Sequence, residues 1–188
     1  RDALKRSASK QERAAWAEKL AELLESELGD PEGAAHAWAE VAAATGDSRA
    51  VSEQVRLLGQ KKDNTGVREA LDAGVRQAQA PLERARALVL RAEEALTRRE
   101  VAAARADFEG ALKLQPGHPE AAAGLAELAA MQGDVAPVRQ LEQALAKVPR
   151  RTPGRGDHYR RLARLADSPL REVKLSRHAW SEVLAELP

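Results

Sequence analysis

The sequence predicts an all-α chain of about five stacked helix–turn–helix units, an α-solenoid whose repeats are each about 35 residues long. Three observations carry this. Strand signals are nearly absent: β-branched residues are sparse, aromatic residues make up 3% of the chain, and no segment alternates with period two. Apolar residues instead recur at spacings of three and four, as in Trp16, Leu20, Leu23 and Leu24, in Leu88, Ala92, Ala95 and Leu96, and in Tyr159, Leu162, Ala163 and Ala166. The chain is also self-similar. His36-Ala37-Trp38-Ala39-Glu40-Val41 returns as His178-Ala179-Trp180-Ser181-Glu182-Val183, 142 residues further on, which is four such units.

Punctuation between the helices follows in order. Asp30-Pro31-Glu32 places a capping carboxylate before a proline at the first helical position, where the missing N–H is no loss. Gly46-Asp47 and Gly133-Asp134 read as a helix-ending glycine followed by the next N-cap. Pro81 and Pro119 sit as first-turn prolines, with Glu83 and Glu120 close behind, and Ser168-Pro169 repeats the Asp30-Pro31 device. The stretch from Arg150 to Gly156, rich in Gly, Pro and Arg, is the longest gap and reads as a loop. Short connections between helices of about 12–16 residues make neighbours antiparallel.

The units share a pattern. Ala104-x3-Phe108-x2-Ala111-x4-Pro116 is the fullest copy; Leu141-x2-Ala144-x4-Pro149 and Trp180-x2-Val183-x4-Pro188 keep its spacing, as does Ala34-x3-Trp38-x2-Val41 with Gly46 for the proline. Ahead of these lie Tyr159-x2-Leu162-Ala163-x2-Ala166, Leu88-x3-Ala92-x2-Ala95 and Ala122-x2-Leu125-Ala126-x2-Ala129. Residues 48–81 are the most degenerate, carried by Val51, Val55, Leu58, Val67, Ala70 and Leu71. These patterns resemble the second and first helices of the tetratricopeptide repeat family. The resemblance covers residues 11–188, divided at about 11–46, 47–80, 81–117, 118–150 and 156–188, with 1–10 as a linker or the end of a preceding helix. It implies a right-handed solenoid in which Trp38, Phe108, Leu141 and Trp180 fill the space between repeats. Ala104 and Ala111 would permit close approach, and Pro116 and Pro149 would break the helix before the next repeat.

Composition narrows the function. With 30 basic and 29 acidic side chains the net charge is +1, which offers no global attraction to nucleic acid. The distribution is uneven: residues 11–46 hold eight acids against Arg13 and Lys19, a net of −6, whereas residues 148–177 hold nine bases against Asp157, Asp167 and Glu172, a net of +6. The absence of cysteine removes disulfides, thiolate metal sites and cysteine nucleophiles, and it fits a cytoplasmic protein while leaving a bacterial envelope location open. The preference for Ala and for Arg over Lys is what a GC-rich bacterial genome would produce. The chain begins at Arg1 and stops on Pro188, and reads as a piece of a longer protein. No apolar run approaches the roughly 20 residues that span a bilayer.

Chemistry-bearing motifs are scarce. No Gly-rich phosphate loop, H-E-x-x-H helix or G-x-S-x-G elbow occurs, and neither a metal nor another cofactor is expected. His36, His118, His158 and His178 read as surface residues without a carboxylate set among them, although His158 and His178 fall on the two helices of one repeat. Glu93-Glu94 reads as a solvated face, since adjacent helical residues point about 100° apart. Trp16 and Tyr159, near the starts of first helices, are expected to be partly exposed.

What remains is the surface. In the tetratricopeptide family the first helices line a concave groove that takes partner segments. By that resemblance Glu18, Glu22 and Glu25 would line the first repeat, Arg86, Val89 and Glu93 the third, Glu120 and Glu127 the fourth, and Arg160, Arg161 and Arg164 the fifth. The Lys/Asn carboxylate clamp of that family has no match here. Arg160, Arg161 and Arg164 share most of a helical face, with Arg150, Arg151 and Arg155 just ahead, a density that suits an acidic partner. The expected function is therefore a non-enzymatic protein–protein scaffold binding a peptide or protein segment in that groove. The rival readings are self-association by end-to-end stacking of repeats, acidic end to basic end, and RNA binding by a helical repeat, which the acidic first repeat argues against.

Overall fold

A computed structural model describes residues Ser9–Glu186, and helices joined by short turns account for nearly all of them, with no strand among the described residues. Ten helices follow one another: α1 (Lys10–Ser26), α2 (Pro31–Thr45), α3 (Ser48–Gln60), α4 (Asn64–Gln77), α5 (Pro81–Thr97), α6 (Val101–Leu114), α7 (Pro119–Ala130), α8 (Ala136–Ala146), α9 (Arg155–Asp167) and α10 (Val173–Ala185). Residues 1–8, read from sequence as part of a linker, and Pro188, read as a closing proline, lie outside the described residues. The described chain divides into two compact units, one ending at Arg91 and the other starting at Ala92.

The helix ends show why the chain breaks where it does. Ser9 and Glu12 form a reciprocal capping box at the start of α1. Asp30 caps α2 by accepting from the Gly33 N–H, with Pro31 at the first helical position, and Gly46 closes the same helix at φ 69°. Asp47 and Asp63 cap α3 and α4 in the same manner. Glu83, from α5, reaches back to accept both the backbone N–H (2.9 Å) and the hydroxyl (2.7 Å) of Ser48, and so ties the first turn of α3 to the first turn of α5. One expected start is in the wrong place. Ser168 is the C-cap of α9, the Ser168–Pro169 bond is cis, and α10 begins only at Val173.

In the first unit, α2 packs on α1 and on α3, and α3 on α4. Ala17, Ala21, Ala34, Ala35, Trp38, Val41, Ala42, Ala50, Val51, Leu57, Val67 and Leu71 form its core. The degenerate stretch is therefore an ordinary helix pair with fewer aromatic anchors. In the second unit α7 packs on α6, α8 and α9, and α9 on α8 and α10. Its core includes Val138, Leu141, Leu145, Tyr159 and Leu162. Alanine at the crossings lets the helices approach closely, at interaxial distances of about 8–10 Å. Gly124 on α7 extends this logic: a Cβ there would clash with the far edge of the Phe108 ring on α6.

Candidate functional site

Within the second unit, Glu93 on α5, Glu127 on α7 and Arg161 on α9 occupy one register of successive first helices. Arg161 follows Glu127 by 34 residues, and Glu127 follows Glu93 by the same interval. The repeat period thus becomes a ladder of side chains. Arg161 donates from Nε to Glu127 at 2.8 Å and brings Nη2 to 2.7 Å of the same oxygen. Glu93 has no hydrogen bond or ion pair among the described residues. Loss of surrounding water pushes its carboxyl above the ordinary value; Arg161 opposes that, and the Glu120 and Glu127 carboxylates add to it. Glu93 is nonetheless exposed at its surface, and no basic side chain of the ladder is in hydrogen-bond contact with it.

Glu120 lies between two imidazoles, with one oxygen 3.0 Å from His118 Nδ1 and the other 3.5 Å from His158 Nε2. Its carboxyl is held well below the usual carboxylate range, chiefly by His118 and then by His158. The His118 Nδ1 contact lacks the alignment of a hydrogen bond. From the sequence, all four histidines are expected at the surface without a carboxylate among them. His118 is instead buried, at 6% exposure, and shares Glu120 with His158. His178 stays exposed on α10 and meets Tyr159 edge-on, with ring centroids 6.4 Å apart. A pairing between residues on different repeats leaves no local signal in the chain.

No family model matches the sequence, and no curated protein matches it either. Solved structures do. The crystal structure of MamA protein superposes with a TM-score of 0.60 at 15% identity, covering 92% of this chain and 91% of that one. PilF from Pseudomonas aeruginosa gives 0.63 at 19% identity, over 95% of this chain and 76% of that one. Both are tetratricopeptide-repeat proteins. The chain has a tetratricopeptide-type α-solenoid fold.

In this tetratricopeptide frame, the second-helix positions Trp38, Phe108 and Leu141 are buried, as are Ala104 and Ala111, while Pro116 and Pro149 lie exposed just past the ends of α6 and α8. Trp180 departs from the expectation. It is 38% exposed and donates its indole N–H to Asp167 at 2.9 Å, because no described helix lies over α10 as α3 lies over α2. Tyr159, expected to be partly exposed, is 1% exposed, whereas Trp16 is indeed half-exposed.

The arginines near the last repeat do not form one open patch. Arg155, assigned from sequence to the loop cluster, is buried, stacks 4.5 Å from the Tyr159 ring and binds Glu182, Glu186 and the Val148 carbonyl. Burial acts against its charge, but the two carboxylates more than offset that and keep it protonated. Arg150 also reaches Glu182, and Arg160 pairs with Asp157 one turn away. Arg164 remains exposed on the face it shares with Arg161. In the first unit, Glu18 pairs with Arg49, Glu25 with Arg56 and Arg86 with Glu83, Glu22 is exposed, and Val89 is buried. Of the acids in residues 11–46, Glu18 and Glu25 therefore face arginines of the next repeat, and Glu32 faces Lys61.

Among the described residues no cluster of three His, Cys, Asp or Glu side chains is arranged to hold a metal ion. No described helix is long and apolar enough to cross a membrane.

Proposed function

We propose that this chain is a protein-binding scaffold, and that its second unit takes a segment of another protein across the face formed by α7, α9 and Glu93 at the end of α5. The observation that carries this reading is the Glu93–Glu127–Arg161 ladder. Equivalent positions on helices about 8–10 Å apart meet an extended segment every third residue or so, at a rise of about 3.3 Å per residue. The ladder also has a direction. Glu93 favours a lysine or arginine from the partner at one end, and exposed Arg164 favours a carboxylate at the other. An acidic segment lying wholly on the arginines has fewer to use than composition promises, because Arg150, Arg155, Arg160 and Arg161 already face carboxylates. The role is one of recognition and requires no reaction at the site.

Selection from a random displayed-peptide library against the intact chain tests this. Enriched peptides should carry a basic residue and an acidic residue a few positions apart. Their affinity should fall at least about fivefold on Glu93→Gln or Arg164→Ala, the loss of one charge-assisted contact. Failure to enrich, or equal binding by the Glu93→Gln/Arg164→Ala double variant with its helical signal intact, would overturn the proposal.

A further inference from the structure

We propose that the groove between α2 and α4 is a second recognition site, for an extended segment of another protein that carries a lysine or arginine close to a bulky apolar residue. The site lies wholly within the first unit and is independent of the ladder. Successive helices are antiparallel, so α2 and α4 run in the same direction with α3 between them. Lys61, just past α3, pairs with Glu32 at the start of α2 (3.3 Å), and Gly46 after α2 comes against the backbone of Gln77 at the end of α4. The space left open is a groove of ≈ 550 Å³, within the range of about 300–1,000 Å³ typical of ligand sites. It is internal to the stack of helices: α1 packs on α2, and Arg91 of α5 binds Asp72 of α4 at 2.9 Å.

Three features of the lining select the occupant. Midway along, Ala39 of α2 and Ala73 of α4 are half-buried beside Leu57 of α3. Alanine stops at Cβ, so the depth between them fits a leucine, methionine or phenylalanine side chain brought from outside. Charge gathers where α2 and α4 begin: Glu32, Asp63 and Glu69 line that end against Lys61, three acids to one base, with His36 on the α2 wall. Asp30 and Lys62, neighbours of this lining in sequence, cancel each other. Lys61 is taken by Glu32, and Asp63 accepts from the Gly66 N–H at 2.9 Å. Glu69 is exposed with no hydrogen bond or ion pair among the described residues, and the next cation along its side of α4, Arg76, is two turns away. A partner cation therefore has its place beside Glu69. Finally, Gln54 of α3 and Gln77 of α4 are half-buried in the lining, and neither carboxamide is hydrogen-bonded among the described residues. A carboxamide both donates and accepts. A docked helix satisfies its own backbone, whereas an extended segment brings free N–H and C=O groups to such side chains.

Displayed-peptide selection on the full-length Glu93→Gln/Arg164→Ala chain, whose ladder is disabled, reads this groove by itself. Enriched peptides should share a bulky apolar residue within a few positions of a lysine or arginine, and need no acidic residue. Two variants of the otherwise wild-type chain then locate the contact. Ala73→Trp fills the groove and should raise the Kd of the best peptide at least about tenfold. Glu69→Lys, at an exposed position that leaves the core untouched, should raise it at least about fivefold. Both should keep the helical signal. No enrichment on the ladder-disabled chain overturns this site, and leaves the ladder standing if the wild type still enriches peptides of its own. Binding that survives Ala73→Trp or Glu69→Lys with the helical signal intact overturns it as well.

Discussion

The same hexapeptide meets two environments in this molecule. On α2, His36 to Val41 presents Trp38 to the helix that follows, and the indole is buried at 4% exposure; Glu40 points to solvent. On α10, His178 to Val183 leaves Trp180 half-open, while its glutamate, Glu182, is drawn into a buried pair with Arg155. Ala37 and Val41 are as buried as Ala179 and Val183. The positions that agree face the motif's own repeat, and the positions that differ face whatever lies next to it. A repeat motif therefore specifies the packing of its own helix pair, and its neighbour decides the rest.

The largest effect should come from the two tryptophans. Trp38→Ala empties a fully packed site and should lower stability by about 3–5 kcal/mol, whereas Trp180→Ala should lower it by less than about 1 kcal/mol. Chemical denaturation of the two variants makes the comparison, and equal losses would break it. The glutamates should reverse the order. Arg155→Met strands Glu182 and Glu186 at a buried site and should lower stability by about 3 kcal/mol; Glu40→Gln should change it by no more than about 0.5 kcal/mol. Gly124→Ala probes a third copy of the second-helix position, Phe108, which is covered as Trp38 is. Overpacking against that ring should lower stability by about 1–3 kcal/mol, seen as a drop in thermal midpoint.

Glu93 gives the smallest effect and a sign. Its folded-state carboxyl is raised, so the protonated form is favoured on folding, and the stabilisation present at acid pH is lost as pH rises through that raised value. Glu93→Gln should therefore melt slightly above wild type at neutral pH and level with it in acid. A variant that melts lower at neutral pH would show that Glu93 is satisfied within the fold.

Much of the fold was legible because its determinants are local. Asp30-Pro31 and Gly46-Asp47 mark helix ends through contacts within four residues, and the Ala104–Phe108–Ala111 spacing states which helix face is apolar. Ser168-Pro169 misled because the same pair can close one helix as readily as open the next. For the proposed site, the sequence supplies candidates only: the repeat spacing assigns Glu93, Glu127 and Arg161 to first helices. What pairs with what was hidden, because Glu127 meets Arg161 across 34 residues, and His118 and His158 come from different repeats. Arg155 shows the physical reason most clearly. In sequence it belongs to a basic loop, but Glu182 and Glu186, a helix away, turn it into a buried structural cation.

The central claim is that the first-helix face of the second unit is the binding surface. Backbone amide NMR of the intact chain, titrated with a peptide enriched by selection, addresses it directly. Shifts gathered on Glu93, Glu120, Glu127, Arg161 and Arg164 are the expected result. Shifts confined to second helices, around Leu141 on α8 or Trp180 on α10, would contradict it.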